Sequence, residues 1–114
     1  MKVHYLEIGT HDIDAVCHAC ELSQRVSFSA PDELLGGART ATLSDDSIVG
    51  VRGPFRETEA TLVRPYWLVE DIDEAIAHVA AAGAGIAMPP MTVPGKGSFA
   101  IYIQGGNDHG LWQL

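Results

Sequence analysis

The sequence has few basic residues and no long uninterrupted apolar run. Its 114 residues include seven Lys and Arg against fifteen Asp and Glu, which gives a formal net charge of −8. Because this charge repels phosphate backbones and anionic membrane surfaces, neither nucleic acid nor a membrane is expected as a partner. The longest largely apolar stretch, residues 79–93, is interrupted by glycines and prolines and is too short to span a bilayer. Glu7 and Asp12 interrupt the early apolar residues, so no signal peptide is indicated and a cytoplasmic location is expected.

Cysteine is also scarce, since Cys17 and Cys20 of "CHAC" are the only two. A zinc site would need further cysteine or histidine ligands at matching spacing, and a redox pair would need an activated thiolate at a helix N-terminus. Neither context is present, so these residues are interpreted as small apolar residues one helical turn apart. With 46% hydrophobic and 19% charged residues, the chain is expected to form one compact domain over residues 1–114.

The chain contains an internal repeat at a shift of about 59 residues, where "HDIDAV" at 11–16 aligns with "EDIDEA" at 70–75. Asp12 and Asp71 each stand where a strand is expected to end and a helix to begin, so both are predicted N-caps. Glu74 completes a capping-box pattern in the second copy. Gly83 is predicted to end the second helix.

Runs with strand character follow each predicted helix: "RVSFS", "ARTATL" and "SIVGVRG" in the first half, then "GIAM", "SFAIYI" and "HGLWQL" in the second. Turn signals such as "PPMTVPGKG" and "QGGND" separate them, and "PFRETEA" is the predicted connector. The prediction is an α+β fold of two βαβββ repeats, about 1–54 and 61–114, whose curved mixed sheets surround a cavity. That cavity is the expected binding site.

These residues resemble the vicinal oxygen chelate superfamily, the group of glyoxalase I, extradiol dioxygenases and bleomycin-resistance proteins. The resemblance is carried by "YLEIGTHDIDA" and "GGARTATLSDDSIVGVRGP" in the first half and by "YWLVEDIDEAIAHVAAAGAGIAMPPMTVPGKGSFAIYIQGGNDHGLWQL" in the second. Many relatives form dimers, so the resemblance also implies a homodimer.

The resemblance implies four metal-ligand positions, one on the first and one on the last strand of each half. They fall on Tyr5, Arg64, Gly50 and Gly110, none of which is a good ligand. Arg64 stays cationic and the glycines have no side chain. No metal and no cofactor are therefore expected, and the space at each glycine is left for ligand atoms or aromatic rings. Alternatively, each glycine marks a bend or bulge in a curved strand.

Strand alternation predicts which side chains face the cavity. Trp67 and Val69 are assigned to the helix-facing core, whereas Tyr5, Arg52, Tyr66 and Trp112 are predicted to bind the ligand and Glu7 to lie beside them. Two alternatives stay open: Glu7 and Arg52 pair only with each other, or the aromatic residues serve only as core packing.

Two functions are consistent with this pattern. One is metal-independent binding of a small hydrophobic or aromatic molecule. The other is an enzyme of the superfamily, an isomerase, lyase or dioxygenase, that uses Glu7 as a base or holds a divalent metal through other ligands. His109, beside Asp108, is the one histidine proposed as a catalytic proton carrier, with a plain surface role as its alternative.

Overall fold

The computed structural model describes residues 1–114 and contains two α-helices, seven strands of mixed direction and one short 3₁₀ helix at Glu33–Leu35. This confirms the predicted α+β class. No helix has the length and apolar character that crossing a membrane requires. In chain order the elements are β1 Val3–Gly9, α1 Ile13–Gln24, β2 Arg39–Thr42, β3 Ile48–Arg52, β4 Leu62–Leu68, α2 Ile72–Ala81, β5 Gly85–Val93, β6 Gly97–Gln104 and β7 Asn107–Gln113.

The chain divides into two compact units, which are described separately. The first unit comprises residues 5–63. In it, β1 runs parallel to β3 and β2 runs antiparallel to β3, so that β3 is the central strand of the three. Gly50 on β3 lies opposite Glu7 of β1 on one side and opposite Thr40 of β2 on the other.

The second unit comprises residues 1–4 and 64–114. Its strand order is β4-β7-β6-β5, with β4 parallel to β7 and the other neighbours antiparallel. Gly110 on β7 lies opposite Tyr66 of β4 and Ile101 of β6. Gly50 and Gly110 therefore hold comparable positions, each in the middle of a strand that has a parallel neighbour and an antiparallel neighbour.

The first repeat departs from the predicted βαβββ order because "RVSFS" at 25–29 is not a strand. Arg25 ends α1 in the left-handed conformation with φ +53°. The Phe28 N–H then donates to the Glu21 carboxylate at 3.0 Å, which removes a donor that a strand ladder would use. Residues 25–29 are joined to β2 by isolated hydrogen bonds and not by a strand ladder. One of them is donated by the Ser29 N–H to the Thr40 carbonyl at 2.8 Å. Two named strands instead of three therefore follow α1.

The second repeat has all its predicted strands, but β5 is longer than "GIAM". It continues to Val93 through Pro89 and Pro90, where the pairing register with β6 shifts. Pro is tolerated there because β5 has a neighbour on one side only and the register shift leaves room for a residue without an N–H. The predicted turn "QGGND" is shorter than expected and consists of Gly105 and Gly106. Both have positive φ, which suits a two-residue hairpin between β6 and β7.

The two predicted helix caps behave differently. The Asp71 carboxylate accepts the Glu74 N–H at 3.1 Å, which confirms its prediction. Asp12 is the N-cap residue of α1, as predicted, but its carboxylate makes no capping hydrogen bond, so that part of the prediction is wrong. Its own N–H donates to the Thr10 hydroxyl at 3.1 Å instead. At the other end of α2, Gly83 adopts φ +96° as expected of a helix stop.

The core of the second unit lies between α2 and its sheet. Ile72, Ala100, Tyr102 and Leu111 are its buried members. Trp67 and Val69 pack against them, so the prediction that both face the helix is confirmed. In the first unit, α1 contributes Cys17 as its one fully buried residue, while Cys20 is partly buried and both thiols are free.

The contrast between the two caps gives a stability prediction. Asp71→Ala removes an N-cap hydrogen bond and is expected to lower the free energy of unfolding by about 1 kcal/mol. Asp12→Ala is the matched control and should change it by less than about 0.5 kcal/mol. Urea denaturation followed by circular dichroism measures both. Equal losses in the two variants would contradict the assignment of the cap to Asp71 alone.

Candidate functional site

Gly50 of the first unit is covered by a tyrosine from the neighbouring strand. Tyr5 on β1 is 5% exposed, and its hydroxyl lies where a Cβ atom of residue 50 would stand. The space left by the missing side chain is therefore filled by an aromatic residue of the chain itself. This is one of the two outcomes that the sequence left open, and Gly50 is a close-approach glycine rather than a bulge, since its register with β1 and β2 is unbroken.

Gly110 of the second unit has the same kind of cover. A Cβ atom here would overlap the ring of Tyr66, which lies directly across from it on β4. The clash involves ring atoms near the base of the side chain, whereas at Gly50 it involves the end of the tyrosine. A side chain of any size at position 110 would therefore have to displace the ring.

Four aromatic rings meet on this face of the second unit. Phe99 and Trp112, paired across β6 and β7, stack with centroids 6.1 Å apart and an interplanar angle of 25°. Tyr66 meets the Trp112 ring edge-on at 5.7 Å. His4 lies 5.6 Å from the Trp112 ring. We call His4, Tyr66, Phe99 and Trp112 the ring cluster.

Two members of the ring cluster are buried and two are accessible. Tyr66 and Trp112 are 5% and 4% exposed, whereas Phe99 and His4 are partly exposed. The Trp112 indole N–H donates to the Lys96 carbonyl at 3.0 Å, so the loop between β5 and β6 holds that ring in place. Lys96 thus contributes its backbone to the site.

Glu7 and Arg52 of the first unit form a buried ion pair, with Arg52 Nε donating to Glu7 Oε2 at 2.7 Å. The two residues therefore pair with each other, but not exclusively. A second carboxylate joins from the connector, because Arg52 Nη1 donates to Glu59 Oε1 at 2.6 Å. Burial disfavours the charged guanidinium, but the hydrogen bonds to Glu7 and Glu59 outweigh it and raise the pKa of Arg52. The same hydrogen bond from Arg52 lowers the pKa of Glu59.

His109 lies on the other face of β7 from Trp112. Its ring stacks on Tyr102 with centroids 5.2 Å apart, and its Nδ1 accepts the Trp67 indole N–H at 3.3 Å. Both of these neighbours belong to the α2 side of the sheet. The structure therefore does not bring His109 to the ring cluster, and its role as a proton carrier stays a prediction.

Three residues that contact the predicted ligand-binding residues were not predicted from the sequence: Phe99, His4 and Glu59. Phe99 was detectable, because the two-residue turn at Gly105–Gly106 fixes the β6–β7 register and pairs Phe99 with Trp112. His4 and Glu59 left no such signal. His4 reaches Trp112 through tertiary packing, and Glu59 lies in a connector with no periodic pattern.

Solved structures share this fold. A hypothetical protein BH1468 from Bacillus halodurans C-125 superposes with a TM-score of 0.72 at 16% identity, over 99% of this chain and 94% of that one. The Mn(II)-bound glyoxalase from Novosphingobium aromaticivorans gives 0.72 at 17% identity, over 98% of this chain and 38% of that one. What this chain shares with both structures is the fold. A Streptomyces coelicolor methylmalonyl-CoA epimerase also matches, with a TM-score of 0.64 at 16% identity over 99% of this chain and 96% of that one.

No protein-family model matches the sequence, and no curated protein matches it. The similarity to these solved structures thus concerns the fold. At 11–17% identity it says nothing about which side chains form a site.

The residues at the four metal positions that the resemblance implies do not fit a metal ion. Gly50 and Gly110 offer no side chain and are covered by Tyr5 and Tyr66. The side chain of Arg64 is itself positively charged and would repel a metal ion. Its guanidinium contacts the Tyr66 hydroxyl at 3.4 Å and Asp108 at 3.3 Å. No group of three or more His, Cys, Asp or Glu elsewhere has the arrangement to hold an ion.

The cover on Gly110 predicts that position 110 does not tolerate any side chain. Gly110→Ala should lower the free energy of unfolding by about 1–3 kcal/mol, because the Tyr66 ring has to move out of a packed face. Gly85→Ala is the matched control, since it also lies in a strand and its Cβ would meet only the Ile103 carbonyl at 4.0 Å. Thermal and urea unfolding would measure both. A neutral Gly110→Ala would contradict the close approach of the ring.

The lowered pKa of His4 leads to a prediction that stability depends on pH. Burial, with a smaller contribution from the Lys2 charge, lowers the pKa of His4 below its ordinary 6.5. Between that lowered pKa and 6.5 the unfolded chain binds the proton more readily, so stability should fall as the pH drops through this window. In His4→Gln the decrease between pH 7.5 and pH 5 should be smaller. The exposed His78→Gln is the control and should retain the wild-type decrease, whereas identical curves for all three proteins would refute the role of His4.

Proposed function

We propose that this protein binds a small hydrophobic or aromatic molecule without a metal ion. The observation that carries the proposal is the ring cluster over Gly110, because aromatic rings occupy the place that a ligating carboxylate would need. Stacking and burial are the interactions that such a surface offers, and they favour flat apolar ligands. Tyr66 and Trp112 form the floor of this surface, and Phe99 and His4 are the rings that a ligand meets first.

Tyr5 and Arg52 of the first unit were also predicted to bind the ligand, and for them ligand binding stays a prediction separate from the ring cluster. The Tyr5 hydroxyl is packed against Gly50. Arg52 is already bound to two carboxylates, those of Glu7 and Glu59.

The enzymatic alternative fits the geometry less well. Similarity in fold to a glyoxalase and an epimerase keeps it under consideration. Glu7, however, is the proposed base, and its Oε2 is engaged by Arg52 at 2.7 Å while His109 lies on the α2 face of its sheet. A base needs a free path to the proton that it abstracts, so this arrangement supports binding over catalysis. A homodimer and a cytoplasmic location stay predictions.

The ligand test uses 2-naphthamide, a neutral flat probe, with protein treated with EDTA. Binding followed by Trp fluorescence should persist without metal, and Phe99→Leu should weaken it about two- to tenfold, because an aromatic contact is worth about 0.5–1.5 kcal/mol beyond burial. Phe28→Leu is the matched control on the first unit, since Phe28 is also partly exposed and lies outside the ring cluster.

Three results would count against the proposal. Loss of binding on EDTA treatment with recovery on adding a divalent ion would show that a metal is required. Equal effects of Phe99→Leu and Phe28→Leu would show that the ring cluster is not the site. Absence of binding by any flat aromatic probe would refute the ligand class.

A further inference from the structure

Arg52 is a buried cation whose nitrogen atoms bind different partners. Its side chain is 4% exposed and touches two carboxylates and one carbonyl. Nε is bound to Glu7, while Nη1 is shared between Glu59 and the Gly53 carbonyl at 3.1 Å. A guanidinium is built for planar recognition of carboxylates, and it keeps its charge under all ordinary conditions.

The two carboxylates are attached in different ways. Glu7 belongs to β1, and its register opposite Gly50 fixes its backbone within the sheet. Glu59 belongs to the connector between β3 and β4, which has no helix or strand. Its side chain is also the more exposed of the two, at 20% against 11%. Glu7 therefore orients the guanidinium, whereas the Glu59 carboxylate is the one that another carboxylate can displace from Arg52.

The connector is folded onto the same guanidinium. The Phe55 ring lies 4.1 Å from the Arg52 guanidinium carbon, and the Phe55 N–H donates to Glu59 Oε2 at 3.3 Å. His11 Nε2 donates to the Glu59 carbonyl at 3.1 Å. Phe55 is nevertheless 66% exposed, so an apolar aromatic surface stands beside the charge and open to solvent.

We propose that the Arg52 guanidinium is a binding site for the carboxylate of a small ligand and that Glu59 occupies it when no ligand is bound. The favoured ligand class is a monocarboxylate with an apolar or aromatic body, which contacts Phe55 while its carboxylate replaces that of Glu59. The exchange keeps two carboxylates on one cation, so the buried charge is never left without its counter-ions. This site does not require the ring cluster and goes beyond the proposed function.

Glu59 acts as an internal competitor. A carboxylate tethered by a short flexible segment has an effective concentration of about millimolar or higher, so an outside carboxylate has to exceed that concentration to displace it. Removing the Glu59 carboxylate should then increase the affinity for an external carboxylate by about tenfold or more, without any change in the sheet.

Chemical rescue tests this inference. Glu59→Ala should lower the melting temperature, and acetate at constant ionic strength, balanced with chloride, should raise it again in a saturable manner. At about ten times its Kd acetate is expected to restore about 5 °C. The neutral isostere acetamide should have no effect. Glu57→Ala is the matched control, because Glu57 lies in the same connector, is exposed and carries the same charge.

The melting temperatures in acetate, chloride and acetamide decide whether Arg52 binds an external carboxylate. Rescue of Glu59→Ala by acetate, with wild type and Glu57→Ala unmoved, supports the site. If Glu59→Ala is unfolded in chloride, recovery of the fold in acetate supports it equally. Identical behaviour in acetate, chloride and acetamide for both Glu59→Ala and Glu59→Gln would overturn it. Such a failure would leave the binding of neutral aromatic ligands at the ring cluster untouched.

Discussion

The packing of tyrosine rings onto glycines determines what these sheets present to a ligand. Tyr66 fills the space of a side chain at Gly110, and Tyr5 fills it at Gly50. Two groups cannot share one volume in an interior packed as densely as a crystal, so a carboxylate at either position excludes the ring. The residue type at positions 50 and 110 thus selects between an anionic surface and an aromatic one on an otherwise unchanged fold.

Much of this arrangement follows from short-range rules that a sequence displays directly. Alternation along β4 separates Tyr66 from Trp67, and the structure places them on opposite faces as expected. Asp71 and Gly83 bound α2 because a short acidic side chain and a residue free to adopt positive φ are needed at its two ends. The close approach at Gly110 was also visible, as an absent side chain in an apolar strand.

Some features could be assigned from strand alternation, and others could not be foreseen from local patterns. His109 differs from Trp112 by an odd number of residues, so strand alternation alone assigns the two to opposite faces of β7, and the structure agrees. The absence of a strand at 25–29 is harder to foresee, because it depends on the left-handed turn at Arg25 and on the use of the Phe28 N–H by Glu21. The contact between Glu59 and Arg52 depends on the path of a connector without periodicity, which no local pattern specifies.

The strength of binding on such a fold depends on where charge is available. Burying one ring removes about 150–250 Å² from water, about 4–6 kcal/mol before the cost of association, so burial alone gives weak complexes. A hydrogen bond to a charged group adds about 1.5–3 kcal/mol, a factor of about ten to one hundred in affinity. Because Arg52 is held by Glu59 in the protein alone, a ligand gains only the difference between its own carboxylate and the tethered one. The residue at position 59 can therefore tune affinity at Arg52 through the connector, while the sheet that orients the guanidinium stays the same.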